Sequence, residues 1–209
     1  VGTNMMGYTP VFGTEVRFVL LGGVEIGSET LLRWYTELCG TRSIVLRYFN
    51  AAGADAESEF GEDHTPETHL IPLVLDAAAG RGPDVQVFGT DYPTPDGTCL
   101  RDYIHVSDLA RAHVVGLRAL MNGQIQSQAL NLGTGHGYSV REVIETVRRV
   151  TGRDFTVRET GRRVGDPPVL VAAVDRARDV LGWTATESDL ENIVKSAWNW
   201  AVAQANRKA

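Results

Sequence analysis

Apolar residues recur along this chain with two alternating periods. Val16–Leu21 is a short, continuous apolar run ending in Gly22–Gly23, the pattern of a buried strand. Thr30–Leu38 carries Leu31, Leu32 and Tyr35 at helical spacing, and Ser43–Phe49 (SIVLRYF) is a β-branched and aromatic stretch of strand length. His69–Ala79 predicts a helix with Pro72 in its first turn, where the missing N–H costs least. Val85–Phe88 returns to a strand pattern before a turn-rich segment, Asp91–Gly97, which holds two prolines.

Helix punctuation is clearest in the last third. Ser139 and Glu142 form a capping box ahead of Val140, Val143, Ile144 and Val147, which share one helical face. Ser188 and Glu191 repeat the device before Leu190, Ile193, Val194 and Ala197. Asp175–Leu181 followed by Gly182 reads as a short helix with a glycine stop. Strand-like and helix-like stretches in alternation define an α/β class, with no internal repeat and no low-complexity linker.

Composition narrows the partners. At 209 residues, 43% of them hydrophobic, the chain is long enough for one domain or one and a half around a real core. A net charge of −6 argues against nucleic acid and anionic membranes as partners. No apolar run reaches the roughly 20 residues that span a bilayer, and no basic-then-apolar leader is visible, so a cytoplasmic location is expected. The chain starts at Val1, not methionine, which reads as an end that was cut, processed or left incomplete. Cys39 and Cys99 form no CxxC pair and are expected to be buried small hydrophobes in a reducing compartment. His64 and His69 stand among Glu62, Asp63 and Glu67, but their spacing across Pro66 puts them on no common helical face. A polar loop is therefore favoured there over a metal site. His105 and His113 are expected to serve packing or hydrogen bonding, and Trp183, Trp198 and Trp200 the core.

From Leu46 onward longer strings become specific. LRYFNAAGA (Leu46–Ala54), GEDHTPETHLIP (Gly61–Pro72), VFGTDYPTPDGTCLRDYIHVSDLA (Val87–Ala110), ALNLGTGHGYSVREV (Ala129–Val143), RRVGDPP (Arg162–Pro168) and the LGW…SAWNWA tail run in one order. Together they resemble the UDP-glucose 4-epimerases, an extended short-chain dehydrogenase family. The resemblance implies an N-terminal Rossmann domain holding NAD and a smaller C-terminal α/β part holding a UDP-sugar. It also implies, for intact members, interconversion of UDP-glucose and UDP-galactose. On this chain that means a partial Rossmann-type parallel sheet over residues 1–50 and a UDP-sugar-binding part over 51–209, some elements of which return to the sheet.

The residue roles follow from the same resemblance. Arg101 and Arg163 match arginines that bind the diphosphate, a task suited to planar, permanently charged donors. Asn50 matches an amide contact near the hexose, and His69 and Leu70 stand where the family often has Asn-Leu. Gln86, Val87 and Phe88 match the strand whose backbone holds uracil. Asp166 matches a ribose contact, Leu170 a residue gating the hexose pocket, and Phe49 a backbone contact to the nicotinamide end of NAD. Each also has a plain reading: Arg101 beside Asp102 as a structural ion pair, Arg162–Arg163 as a solvated turn, Asn50 as a strand-end cap.

The family's catalytic base is a Tyr in Tyr-x-x-x-Lys, where the ammonium one turn away lowers the phenol pKa. Only Lys195 and Lys208 occur here, and no tyrosine has lysine four residues on. Alignment of Ser28–Tyr35 with the family's helix puts Leu21 and Glu25 at the Tyr and Lys positions. The upstream segment reads in two ways: VGTNMMG as the end of a Rossmann helix with EVRFVLLGG as the following strand, or FVLLGGVEIGSET as a dinucleotide fingerprint lacking its middle glycine. The collinear first reading is preferred, and either way NAD binding is expected to be weak or absent. Three functions remain: an inactive UDP-sugar-binding protein; an enzyme of different chemistry such as a hydrolase or reductase, for which no GxSxG elbow or CxxC speaks; or a non-catalytic structural or regulatory partner of a full-length family member, with self-association through an uncovered apolar face also open.

Overall fold

The computed structural model describes residues 26–208. The predicted Val16–Leu21 strand, the first reading of the upstream segment, residues 18–25 of the second, and positions Leu21 and Glu25 lie outside the described residues. The chain begins with α1 (Ile26–Cys39), β1 (Ile44–Tyr48), β2 (Asn50–Ala52), α2 (Leu70–Ala78) and β3 (Val85–Phe88). It continues through β4 (Leu100–Arg101), β5 (Tyr103–His105), α3 (Val106–Met121), β6 (Gln128–Leu132), β7 (Tyr138–Ser139) and α4 (Val140–Thr151). β8 (Val157–Thr160), β9 (Val169–Leu170), α5 (Asp175–Leu181) and α6 (Leu190–Lys208) complete it.

Strand pairing is mostly parallel. β1 pairs with β6 from Ile44 opposite Gln128 to Tyr48 opposite Leu132, β2 pairs with β5, and β3 with β8. β4 lies between antiparallel β7 and parallel β9. In β1, Ile44, Val45 and Leu46 are all buried. A strand covered on both faces is what helices packed over a parallel sheet produce. The expected α/β class is therefore the observed one.

Two hydrophobic cores hold these elements. The first gathers Ile44 and Leu46 of β1, Ile104, Leu120 of α3, and Leu130 and Leu132 of β6, with Trp183 beneath. The second gathers Ile71 and Val74 of α2, Val87 of β3, Val143 and Val147 of α4, and Ile193 of α6. Each such side chain contributes about 1.5–3 kcal/mol on burial. The cores interleave along the sequence, because residues 104–132 and 177–183 return to the layer that β1 begins. Trp200 is buried and Trp198 packs half-buried against the second core. Cys99 is buried as expected, whereas Cys39 at the end of α1 is exposed.

Helix ends explain the boundaries. The Ser139–Glu142 capping box forms: Glu142 N–H donates to Ser139 Oγ at 3.0 Å, and Ser139 N–H to the Glu142 carboxylate at 2.7 Å. α5 stops at Gly182, whose φ of 60° is left-handed. The second predicted box is displaced by one residue. Asp189 caps α6, accepting from Asn192 N–H at 3.0 Å, while Ser188 turns inward and donates to buried Asp108 at 2.5 Å. The pull of an unsatisfied internal carboxylate outweighs the local serine cap.

Candidate functional site

A cleft of ≈ 960 Å³ is lined by β2, the 62–69 segment, α2, β3, β4, the turn at 163–166 and the far half of α6. Of the residues singled out in the sequence, Asn50, His69, Leu70, Gln86, Phe88, Arg101, Arg163 and Asp166 line it. Residues far apart in the chain thus meet around one space. Phe49, Val87 and Leu170 do not line it. Phe49 donates its N–H to Leu132 O at 3.3 Å. Val87 is 1% exposed and belongs to the second core, because side chains alternate along β3 and only Gln86 and Phe88 point the other way. Leu170 on β9 is exposed outside the cleft.

Arg101 is held on the short central strand β4. Its guanidinium is largely buried, bonds Leu100 O at 2.7 Å and forms an ion pair with Asp166. The plain reading, a pair with Asp102, is corrected here. Asp102 is fully buried and accepts instead from the N–H groups of Thr134, Gly135 and Ala172 at 2.9–3.1 Å and from the Thr134 hydroxyl at 2.7 Å. Gly133 is required beside it, since a Cβ there would lie 2.6 Å from Asp102 Oδ2. This knot ties β4–β5 to the 133–135 loop and to residue 172, and so fixes the strand that presents Arg101.

Arg163 extends over the Phe88 ring, its guanidinium carbon 3.7 Å from the centroid. Such stacking orients a planar cation without consuming its N–H donors. Asn50 Nδ2 donates to Asp102 O at 2.8 Å, which leaves Oδ1 as the remaining acceptor of that amide. The cleft carries both signs of charge: Arg81, Arg101 and Arg163 line it together with Glu62, Asp63, Glu67, Asp76, Asp84 and Asp166.

A second buried carboxylate stabilises the frame behind the cleft. Asp108 at the start of α3 accepts from Ser188 Oγ, from Thr186 and Glu187 N–H at 3.1 and 2.9 Å, and from Arg111 at 2.6 Å. Burial pushes its pKa up, but the Ser188 hydroxyl and the two N–H groups prevail and hold it below the ordinary carboxylate value. Neighbouring His105 caps α3 by accepting from Ser107 N–H at 3.1 Å, and its Nε2 lies 2.9 Å from Ser196 Oγ. Burial lowers the His105 pKa despite the nearby Asp108.

The sequence reading did not single out Tyr103, and it favoured a polar loop over a metal site at the 62–69 segment. Tyr103 lines the cleft, and burial pushes its phenol well above the ordinary range. Glu62, His64, Glu67 and His69 also come together, with ligand atoms within 4.8 Å of one another. Helical spacing does not apply to them, because residues 61–69 form no helix. The string HTPETH carried the signal in its composition.

Parallel strand pairs under helices, with an arginine-flanked cleft beside them, define an α/β protein of the Rossmann-like class. The chain belongs to the NAD dependent epimerase/dehydratase family, whose model matches residues 26–133. It is 55% identical over 172 residues to the UDP-glucose 4-epimerase of Rhizobium leguminosarum bv. trifolii, covering 82% of this chain and 52% of that protein. It is 48% identical to that of Halalkalibacterium halodurans, over 86% of this chain and 53% of the relative. Among solved structures, a UDP-glucose 4-epimerase crystal structure superposes with TM-score 0.83 at 47% identity, over 87% of this chain and 55% of the other. The Stenotrophomonas maltophila enzyme with bound NAD and formylated UDP-arabinopyranose gives 0.83 at 42%, over 88% and 55%. The chain thus spans about half the length of the curated relatives it matches.

Proposed function

We propose that this chain binds UDP-hexoses in the cleft and does not by itself epimerise them. The observation that carries the reading is the convergence of Arg101, Arg163, Asn50 and Phe88 on one space. Arg163, steadied on Phe88, and Arg101, anchored through Asp166, supply charge-assisted donors to a diphosphate. Asp166 accepts from a ribose hydroxyl when the ligand enters. Gln86 and Phe88, with the β3 backbone on either side of Val87, bound the uracil slot. Asn50, His69 and Leu70 face the sugar end, and Leu170 stands outside the cleft.

Intact relatives are NAD-dependent, and NAD when bound supplies the hydride chemistry of the family. Among the described residues no tyrosine–lysine pair fits the base that this chemistry needs. A base needs a phenol whose pKa is lowered by an adjacent ammonium. Tyr103, the tyrosine that lines the cleft, has its pKa raised, and Lys195 on α6 is exposed and does not line the cleft. Phe49 does not line the cleft and spends its N–H on Leu132 O; weak or absent NAD binding is the expectation, and no step is assigned to NAD.

Calorimetry with UDP tests the reading: saturable binding that weakens as salt rises is expected, and no heat at millimolar UDP would overturn it. A second copy of the chain is the partner favoured by Leu31, Trp34, Tyr35 and Leu38, apolar residues exposed along α1. Size-exclusion chromatography should show a concentration-dependent dimer, and an unchanging monomer would refute this.

A further inference from the structure

We propose that Glu62, His64, Glu67 and His69 form a binding site for a divalent transition metal of the zinc class at the edge of the cleft. Each offers one ligand atom, and the four lie within 4.8 Å of one another. A tetrahedral zinc ion with bonds of about 2.0–2.2 Å places its ligands roughly 3.4 Å apart. Modest side-chain rotation therefore closes the set. Two imidazoles with two carboxylates select zinc and its neighbours over calcium or magnesium, which favour all-oxygen shells.

The segment is held in place from both ends. Trp200 donates its indole N–H to Glu62 O at 2.8 Å, and Gly61 lies so close to the same ring that a Cβ would sit 2.5 Å from it. Glu67 accepts from the N–H groups of Thr68 and His69 at 2.6 and 2.7 Å and contacts His69 Nδ1 at 2.8 Å. Glu62 stands 3.7 Å from the same nitrogen. His69 occupies the N-cap of α2, yet its side chain makes no capping bond.

An ordinary ion-paired loop accounts for Glu62, Glu67 and His69, but not for His64. Its Nδ1 is buried without a hydrogen-bond partner among the described residues, and its ring lies 5.7 Å from that of His69. An unsatisfied buried polar atom is costly, and ligation of a metal satisfies it. All four residues line the cleft, and of them only His69 is assigned to the sugar end; the metal test needs no UDP-sugar and is read without one.

The test is calorimetry on the chelator-treated 209-residue protein with zinc chloride, and with magnesium chloride as comparison. One saturable zinc site, a raised melting temperature on zinc addition and no magnesium response are expected. His64→Ala should weaken zinc at least tenfold. Glu67→Gln, which keeps an oxygen for the two backbone N–H groups, should do the same while the circular dichroism spectrum stays unchanged. This variant decides the matter if His64→Ala fails to fold. Absence of saturable binding at millimolar zinc, or undiminished affinity in folded Glu67→Gln, would overturn the site.

Discussion

Replacing Arg163 by alanine separates the ligand-binding reading from a merely structural one. Arg163 is exposed, and its one contact of note is the stack on Phe88 at 3.7 Å. An exposed cation–π contact is worth about 0.5–1 kcal/mol. For a protein of this length that lowers the melting temperature by roughly 1–4 °C. If the guanidinium instead grips a diphosphate, its loss removes a charge-assisted interaction of about 2–3 kcal/mol. By the tenfold-per-1.4 kcal/mol rule the affinity for UDP then falls roughly 30- to 150-fold. The two effects are read in one series: scanning calorimetry without ligand and isothermal titration with UDP at fixed salt. Phe88→Leu should give a smaller affinity loss, about three- to tenfold, because it frees the guanidinium without removing it. A small loss of stability with a large loss of affinity is the expected split. Equal UDP affinity in wild type and Arg163→Ala, both folded, would refute the assignment of the cleft.

Other outcomes follow from the same geometry. Asp108→Asn should cost about 3 kcal/mol, since an amide cannot accept from Ser188, Thr186, Glu187 and Arg111 together; urea unfolding that shifts by less than about 1 kcal/mol would count against it. Both Asp108 and His105 have depressed folded-state pKa values, so their stabilisation is complete above the unfolded values, about 3.9 and 6.5, and is lost as pH falls. Melting temperature should decline first below about pH 6.5 and again below about pH 4, whereas a flat profile across both windows would contradict the burial. Purified chain with excess NAD should not convert UDP-galactose to UDP-glucose, and turnover abolished by Arg163→Ala would reveal an unrecognised base. UDP-N-acetylglucosamine should bind within about tenfold of UDP-glucose, given a leucine at position 170 that stands outside the cleft; a wider gap in competition titrations would place a size gate elsewhere.

Local pattern was enough for much of the architecture. The Ser139–Glu142 box, the Asp175–Gly182 helix with its stop, and the Ile44–Tyr48 strand follow from side-chain period and cap chemistry, which act over a few residues. The family-like strings, with Gln86 just ahead of one of them, likewise marked eight residues that line a common cleft. Tertiary contacts decided the rest. Ser188 became a partner of Asp108 instead of a cap, because a buried carboxylate eighty residues away in sequence had to be satisfied. Arg101 paired with Asp166 and not with its neighbour, since backbone amides of a distant loop had already claimed Asp102. Val87 was turned into the core by strand alternation and Leu170 was left outside the cleft. Glu62, His64, Glu67 and His69 were gathered by a loop whose course no periodic pattern encodes. Short-range propensities are written residue by residue, whereas competition for buried hydrogen-bond partners is settled only when the whole chain has packed.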